Sequence, residues 1–390
     1  MTPAAHCILI HYHEISIKGD NRNWFEKIFM RNVRTQIKSL PYTSVDINAA
    51  RVFIFGVDAN RWIEYAAALK KVMGLMNAHL MWRSKAEIDA IKFIAAELIS
   101  GKTFETFRVS SKRQYKNFPL TSQEINQEVG AHLQPLCNKK VKLKGADLNV
   151  VIELVKGKAY VGVDKIQGFG GLPVGTGERA VSLLSSGIDS PVSSFEMIKR
   201  GVNLSYVHFH SAPATSRQSI KNVKRLLEVI ASYQIKCDLY NVPLLKIQEK
   251  IMEKAPSRLW VILFRRAMMR MAEQIAEKID AVALITGENV GQVASQTLSN
   301  IRATADVVDR PILRPLAGLN KEDIIARAQK IGTYEISIEP YEDCCSFFVP
   351  IHPETKANLN EVRKVESQLD MGGLYEIAVE DTELITFEGK

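Results

Sequence analysis

Ala180-Val-Ser-Leu-Leu-Ser-Ser-Gly-Ile-Asp-Ser-Pro191 is an apolar run that breaks into a loop of small residues and then opens a helix. It predicts a strand ending at Leu184, a loop over 185–190, and a helix from Pro191, whose fixed φ suits a first helical turn. The loop offers backbone N–H groups and hydroxyls with little bulk, and the free N–H groups and positive dipole end of the helix face its contents. A polyanion such as a chain of phosphates is the natural occupant. The stretch 170–176 has the glycine spacing of a Walker loop but lacks the lysine and hydroxyl pair that would hold phosphate and magnesium.

Outward from this junction, strand and helix signals alternate. A helix over 191–200 stops at Gly201, and an apolar strand over 204–209 follows. Next comes a helix with Val223, Leu226, Leu227 and Ile230 on one face, a strand over 238–242, a long helix over 258–278 and a strand over 281–286. Such alternation predicts a mainly parallel, doubly wound sheet with ligands at the carboxyl ends of its strands. The loop after Leu184, the His208-Phe209 strand end and the Thr286-Gly287-Glu288 turn would then face one crevice. Before this half lies 168–177, with five glycines in ten residues, which reads as a connector.

At 390 residues, two or three domains are expected, each able to bury a core. No apolar run reaches the roughly 18 residues of a membrane span. The first ten residues lack the basic front of a signal peptide, so the expected compartment is the cytoplasm. Five cysteines, an odd and sparse set, point to reduced thiols. Cys7, Cys137 and Cys237 stand alone and read as structural; no Cys-x-x-Cys occurs, so no zinc or iron–sulfur motif is evident. His11 and His13 alternate on a strand and read as surface or packing residues.

Lys and Arg number 51 against 43 acids, a net charge of +8, which suits an anionic partner. The excess is local. From Phe107 to Gln123 there is no acid, and Arg108, Lys112, Arg113 and Lys116 interleave with Tyr115 and Phe118; Lys139, Lys140, Lys142 and Lys144 follow. Such cations suit phosphate contacts and such aromatics suit exposed bases, while an ordinary solvated face explains the charge equally well.

Several segments carry a family likeness. The loop resembles the PP-loop, Ser-Gly-Gly-x-Asp-Ser, of ATP pyrophosphatases, with Ser186 in place of the first glycine; a side chain is tolerated there only if residue 186 needs no positive φ. The segment 106–130, with a strand, a basic turn and a helix from Ser122, is similar to the centre of a THUMP domain, an RNA-binding module of tRNA-modifying enzymes. The segment 8–26, beginning Ile8-Leu-Ile-His-Tyr-His-Glu, resembles the N-terminal ferredoxin-like domain of tRNA 4-thiouridine synthetases, the ThiI sulfurtransferases. The runs 206–216, 284–298 and Leu313-Arg-Pro-Leu316 resemble that family's catalytic domain.

The resemblance implies an α/β and α+β multidomain chain: a ferredoxin-like domain over 1–60, a THUMP domain over 61–166, a Gly-rich linker over 167–178, and a doubly wound parallel-sheet PP-loop domain over 179–390. Many members carry a C-terminal rhodanese domain, and the sequence to Lys390 leaves too little room for one. The implied activity is ATP-dependent tRNA sulfurtransfer. Uridine 8 is adenylated at O4 with loss of pyrophosphate, and sulfur from a persulfide then displaces AMP to give 4-thiouridine. Sulfur transfer to a thiamine-pathway carrier protein is a second implied role.

The resemblance assigns Ser185, Gly187, Asp189 and Ser190 to the phosphates, with Asp189 positioning magnesium or water. Leu183, Leu184, His208 and Phe209 border the adenosine; Arg265, Gly287 and Gln296 complete the ATP site. Cys344, with Cys345 beside it, is the expected sulfur-handling thiol, and Arg108, Lys112, Arg113 and Lys116 are expected at the RNA. ATP and Mg2+ are the implied cofactors. Implied partners are tRNA, a cysteine desulfurase and, where Cys344 does not receive sulfur directly, a separate rhodanese protein; family analogy leaves a homodimer open. Competing readings are another PP-loop tRNA enzyme, for 2-thiolation or lysidine formation, and a non-catalytic RNA-binding protein.

Overall fold

The structure is a computed structural model that describes residues 5–114, 117–340, 348 and 350–389. The chain divides into two compact units, Met1–Pro173 and Val174–Lys390. Among the described residues, no helix is long and apolar enough to cross a membrane.

The first unit begins with β1 (Ala5–Tyr12), α1 (Arg22–Gln36), β2 (Ser44–Asn48), β3 (Arg51–Phe55), α2 (Trp62–Lys70) and β4 (Leu75–Lys85). These strands stand in the order β2-β3-β1-β4 with every neighbouring pair antiparallel, the ferredoxin-like arrangement. Strand alternation sends Ile8, Ile10 and Tyr12 to the face where Phe29 and Val33 of α1 and Tyr65 and Leu69 of α2 pack. The expected boundary at residue 60 falls between β3 and α2, inside this set of elements.

The same sheet continues through α3 (Ile88–Ile99), β5 (Thr106–Arg113), α4 (Ser122–Cys137), β6 (Lys140–Val141), β7 (Leu148–Val155), β8 (Lys158–Gly162) and β9 (Lys165–Gln167). Beyond β4 the order is β8-β7-β5-β6, with β9 also paired to β4. Helix α4 starts at Ser122, as expected, because Thr121 and Glu124 form a reciprocal capping box. Strands β7 and β8 turn at Lys156 and Gly157, whose φ angles of 45° and 73° match a tight primed hairpin turn.

The second unit contains β10 (Arg179–Leu183), α5 (Asp189–Ile198), β11 (Asn203–His210), α6 (Gln218–Gln234), β12 (Lys236–Pro243), α7 (Leu245–Lys254), α8 (Trp260–Lys278), β13 (Ala283–Ile285), α9 (Leu298–Ala305), β14 (Ile312–Leu313), α10 (Lys321–Ile331), α11 (Tyr334–Ser337), α12 (Leu359–Ser367), α13 (Leu374–Glu380) and β15 (Glu383–Glu388). The sheet order is β14-β13-β10-β11-β12-β15, parallel except for the antiparallel edge strand β15. From β10 the chain winds outward through β11 and β12, and α8 then carries it back to β13 on the other side. The order therefore reverses at β10, which opens a crevice at its carboxyl end.

Helix α5 starts two residues earlier than expected, at Asp189, so Pro191 is its third residue; proline needs no partner for the N–H it lacks there. The Gly-rich stretch is hydrogen-bonded to both units in turn. Gly168 and Gly170 donate to the carbonyls of Met76 and Leu75, whereas Gly175 and Gly177 donate to that of Gly201.

Candidate functional site

The crevice at the end of β10 holds a cavity of about 210 Å³. Leu183, Leu184, Val207, Phe209, Met268 and Met269 form its apolar lining; Ser185, Asp189, Ser190, His208, Arg265, Thr286, Gly287, Glu288 and Gln296 supply the polar groups. Residues expected from four separate segments of sequence thus meet in one place. Gly187 lies in the same loop but does not line the cavity.

The loop is held by its own hydroxyls. Ser190 Oγ accepts the Ser185 N–H at 2.9 Å and donates to the Ser185 carbonyl at 3.1 Å. Further down the helix, Ser194 bonds the Ser190 carbonyl and the Ser182 hydroxyl, at 2.8 and 2.9 Å, which ties α5 to β10. Ile188, at the helix start, provides no side-chain cap, which leaves first-turn N–H groups available to an anion.

Gly287 packs against this first turn. A Cβ there would lie 2.8 Å from the Ser190 nitrogen and 3.0 Å from the Asp189 carbonyl carbon. Only glycine lets the end of β13 approach so closely.

His208 is 3% exposed, and its Nδ1 stands 2.8 Å from the Leu184 carbonyl. A carbonyl oxygen can only accept, so Nδ1 carries the hydrogen of this bond.

Arg265 reaches the site from α8, where Met268 and Met269 follow at three- and four-residue spacing on the same face. Its guanidinium donates to Glu288 Oε1. Glu288 Oε2 accepts from Arg314 Nε at 2.7 Å and from the Thr286 hydroxyl at 2.9 Å. Burial pushes the Glu288 carboxyl up, but the charges of Arg265 and Arg314 and the hydrogen bonds of Arg314 and Thr286 outweigh it and hold the group below its ordinary range. Arg266 and Arg270, the other arginines of α8, point elsewhere: both pair with Glu366, and Arg266 also pairs with Asp306.

Asp189 sits at the cavity wall with both oxygens engaged, Oδ1 by Lys321 Nζ at 2.6 Å and Oδ2 by Gln292 Nε2 at 2.8 Å. Neither partner was expected. Gln292 lies inside the quoted 284–298 run, but Lys321 is 132 residues from Asp189 and carries no local signal. Glu288 and Arg314 also sit in quoted runs, without an expected role. Asp189 is one hard oxygen donor, as suits a magnesium ion that shares a carboxylate with substrate phosphates. Among the described residues no cluster of three or more His, Cys, Asp or Glu could hold a metal ion by itself.

Cys344, Cys345 and Lys116 lie outside the described residues. Cys7 and Cys237 are buried, and burial pushes both thiols up to about 12, which suits packing and not nucleophilic chemistry.

The basic strand β5 splits its cations by alternation. Phe107 and Val109 face the core with α3 and α4, which places Arg113 on their side and Arg108 and Lys112 on the other. Arg113 donates to the carbonyls of Phe118 and Leu120, at 2.7 and 2.9 Å, and so pins the turn after the strand. Arg108 bonds the Leu143 carbonyl at 3.2 Å, and Lys112 is exposed. Lys140, Lys142 and Lys144 are exposed on and just after the edge strand β6.

Comparison with known proteins matches three families along the chain. The ThiI ferredoxin-like domain matches residues 7–78, the THUMP domain 85–164, and the family described as thiamine biosynthesis protein (ThiI) 175–371. The chain is 40% identical over 383 residues to a probable tRNA sulfurtransferase of Alkaliphilus oremlandii, covering 97% of both. It is 38% identical to one of Thermus thermophilus, covering 96% of this chain and 92% of that protein. Among solved structures, a 4-thiouridine synthetase–RNA complex with bound ATP superposes with a TM-score of 0.88 at 35% identity, over 98% of this chain and 100% of that one.

Proposed function

The chain belongs to the ThiI family, and on that premise we propose that it is an ATP-dependent tRNA sulfurtransferase that converts uridine 8 of tRNA to 4-thiouridine. The observation that carries this reading is the convergence of the PP-loop, the β11 strand end, Arg265 and Gly287 on one cavity at the strand-order reversal.

ATP would lie with its adenosine against the apolar wall of Leu183, Leu184, Val207 and Phe209. His208, which lines the same cavity, would border the base beside Phe209. The phosphates would lie along Ser185, Gly187 and Ser190 at the uncapped first turn of α5. Asp189 would hold a magnesium ion that arrives on the nucleotide and supplies charge neutralisation for the departing pyrophosphate. Lys321, paired with Asp189, would share its ammonium with a phosphate oxygen.

Attack of the uridine O4 on the α-phosphorus gives a uridine adenylate and pyrophosphate, and Arg265 would balance the charge that builds at that phosphorus. We assign to Cys344 the acceptance of sulfur from a cysteine desulfurase persulfide. The terminal sulfur then attacks C4 and AMP leaves. A second thiol, for which Cys345 is the neighbour, must cleave the remaining sulfur–sulfur bond, and the resulting disulfide needs a thiol reductant. The tRNA would be held by the first unit, with Arg108, Lys112 and Lys116 as the proposed contacts, while Arg113, expected among them, is turned to the core side and holds the carbonyls of Phe118 and Leu120.

The test combines unmodified tRNA, magnesium-ATP, a cysteine desulfurase with cysteine, and a thiol reductant. 4-Thiouridine is followed by its near-ultraviolet absorbance and pyrophosphate in parallel. Both products are expected. Asp189→Ala should lose both, and Cys344→Ala should keep pyrophosphate and lose thiouridine. Normal thiolation by Cys344→Ala would remove that cysteine from the mechanism, and absence of both products with the unmutated protein would favour a binding protein.

A further inference from the structure

Glu288 is 2% exposed, yet it lines the cavity in which the polyphosphate is placed above. A carboxylate facing a polyanion is repulsive, so its presence needs a reason beyond the PP-loop. Its two oxygens take up Arg265 from α8 and Arg314 from the end of β14, and the Thr286 hydroxyl fixes the carboxylate on the β13 side. The three groups together carry one net positive charge, and three elements of the fold converge on them.

The donors are not used up. Arg265 Nε and Arg314 Nη2 are buried, and neither has a hydrogen-bond partner among the described residues. Unfilled donors of a buried guanidinium are costly. Arg265 lines the cavity, so an incoming phosphate oxygen is the group that can complete it. Arg314 stands behind Glu288, away from the lining. Without the carboxylate, two guanidinium groups would repel and Arg265 would lose its fixed direction.

We propose that Glu288, backed by Arg314, is a positioning residue that aims Arg265 at the α-phosphate of ATP. The proposal rests on the ATP-cleaving function argued above. Arg265 is most useful as charge develops at phosphorus, so a loss of aim appears in kcat and not in nucleotide binding. A merely structural ion triad would instead lower stability and leave the turnover of the folded protein unchanged.

Pyrophosphate release by the full chain, with tRNA and magnesium-ATP, is measured for Glu288→Gln, Glu288→Asp, Arg314→Lys, Arg265→Lys and the double variant Arg265→Lys/Glu288→Gln, with thermal midpoints recorded beside each. Glu288→Gln should lower kcat by about tenfold or more while KM for ATP changes by less than about threefold. Glu288→Asp should recover part of the loss, and the double variant should be no slower than its slower parent, because both changes act on one interaction. Losses that multiply in the double variant, or an unchanged kcat in folded Glu288→Gln, would overturn the assignment. If Glu288→Gln does not fold, Arg314→Lys carries the test alone, with a lower kcat expected and an unchanged one decisive against. Failure of the unmutated protein to release pyrophosphate would remove the functional reading itself, whereas a normal unmutated enzyme with unaffected variants removes only the role of Glu288.

Discussion

Ser186 departs from the glycine usual in a PP-loop, and its backbone shows why the change is tolerated: its φ is not in the left-handed region. The serine instead carries a side-chain cost, since its hydroxyl is buried and has no partner among the described residues. Ser186→Ala should therefore be neutral or stabilising, by up to about 1 kcal/mol in urea unfolding, with pyrophosphate release unchanged; a clear loss of stability would mean that the hydroxyl has a partner in the folded protein. Gly287 is the opposite case. The Cβ of Gly287→Ala would meet the backbone of Ser190 and Asp189, not a side chain that can swing away. Overpacking of this kind costs about 1–3 kcal/mol, and the displaced helix start should also slow pyrophosphate release. Wild-type turnover in this variant would show that α5 shifts without harm.

Helix α8 serves two regions with adjacent arginines. Arg265 enters the cavity; Arg266, one residue on and about 100° around the helix, is 1% exposed and joins α9 and α12 through Asp306 and Glu366. Arg266→Ala leaves Glu366 with Arg270 and Asp306 with Arg363, but it empties a buried site and strands the Ala303 carbonyl, so it should cost about 2–5 kcal/mol. Arg270 shares Glu366 from a side chain that is 37% exposed, and Arg270→Ala should cost less than about 1 kcal/mol. Chemical denaturation of the two variants compares them directly, and equal losses would contradict the network. The sequence predicts a long helix over 258–278, but three nearby arginines look alike in it. Their roles separate only because the helix lies between the sheet and the C-terminal helices.

At the scale of the whole molecule, the first unit carries a pH dependence in its sheet. On the face without helices, His11 bonds Asn77 and Glu153 at 2.8 and 2.7 Å, and Arg51 also pairs with Glu153. His79, 4% exposed, lies edge-on to the His11 ring at 5.9 Å. Burial, with the nearby charges of His11 and Lys165, lowers the His79 pKa from 6.5 to about 3. Between those values the unfolded chain binds a proton that the folded chain does not. Stability should therefore rise with pH across that window, at about 1.4 kcal/mol per pH unit from this group, and be lost as pH falls below 6.5. Three of the four tryptophans, Trp24, Trp62 and Trp82, lie in this unit, so urea unfolding followed by their fluorescence at pH 7 and pH 5 reads the effect. His79→Asn should flatten it; an unchanged slope would assign the pH dependence to other groups.

Local chemistry determined what the sequence shows by itself. The small-residue loop after an apolar strand, the alternation of strands and helices, the capped start of α4 and the cluster of cations near β5 each depend on neighbours a few residues apart. Those signals are enough for the parallel sheet, the small-residue loop that follows β10 and most of the cavity lining. Tertiary structure alone decided which distant side chains share a charge. Lys321 and Gln292 reach Asp189, and Arg314 reaches Glu288, because the strand order reverses at β10 and brings the ends of β13 and β14 and the start of α10 beside the loop. It also set Arg113 apart from Arg108 and Lys112, since a strand sends successive side chains to opposite faces and the burial of the faces depends on what packs there. Such pairings depend on the path of the chain through space and leave no periodicity for a sequence reading to find.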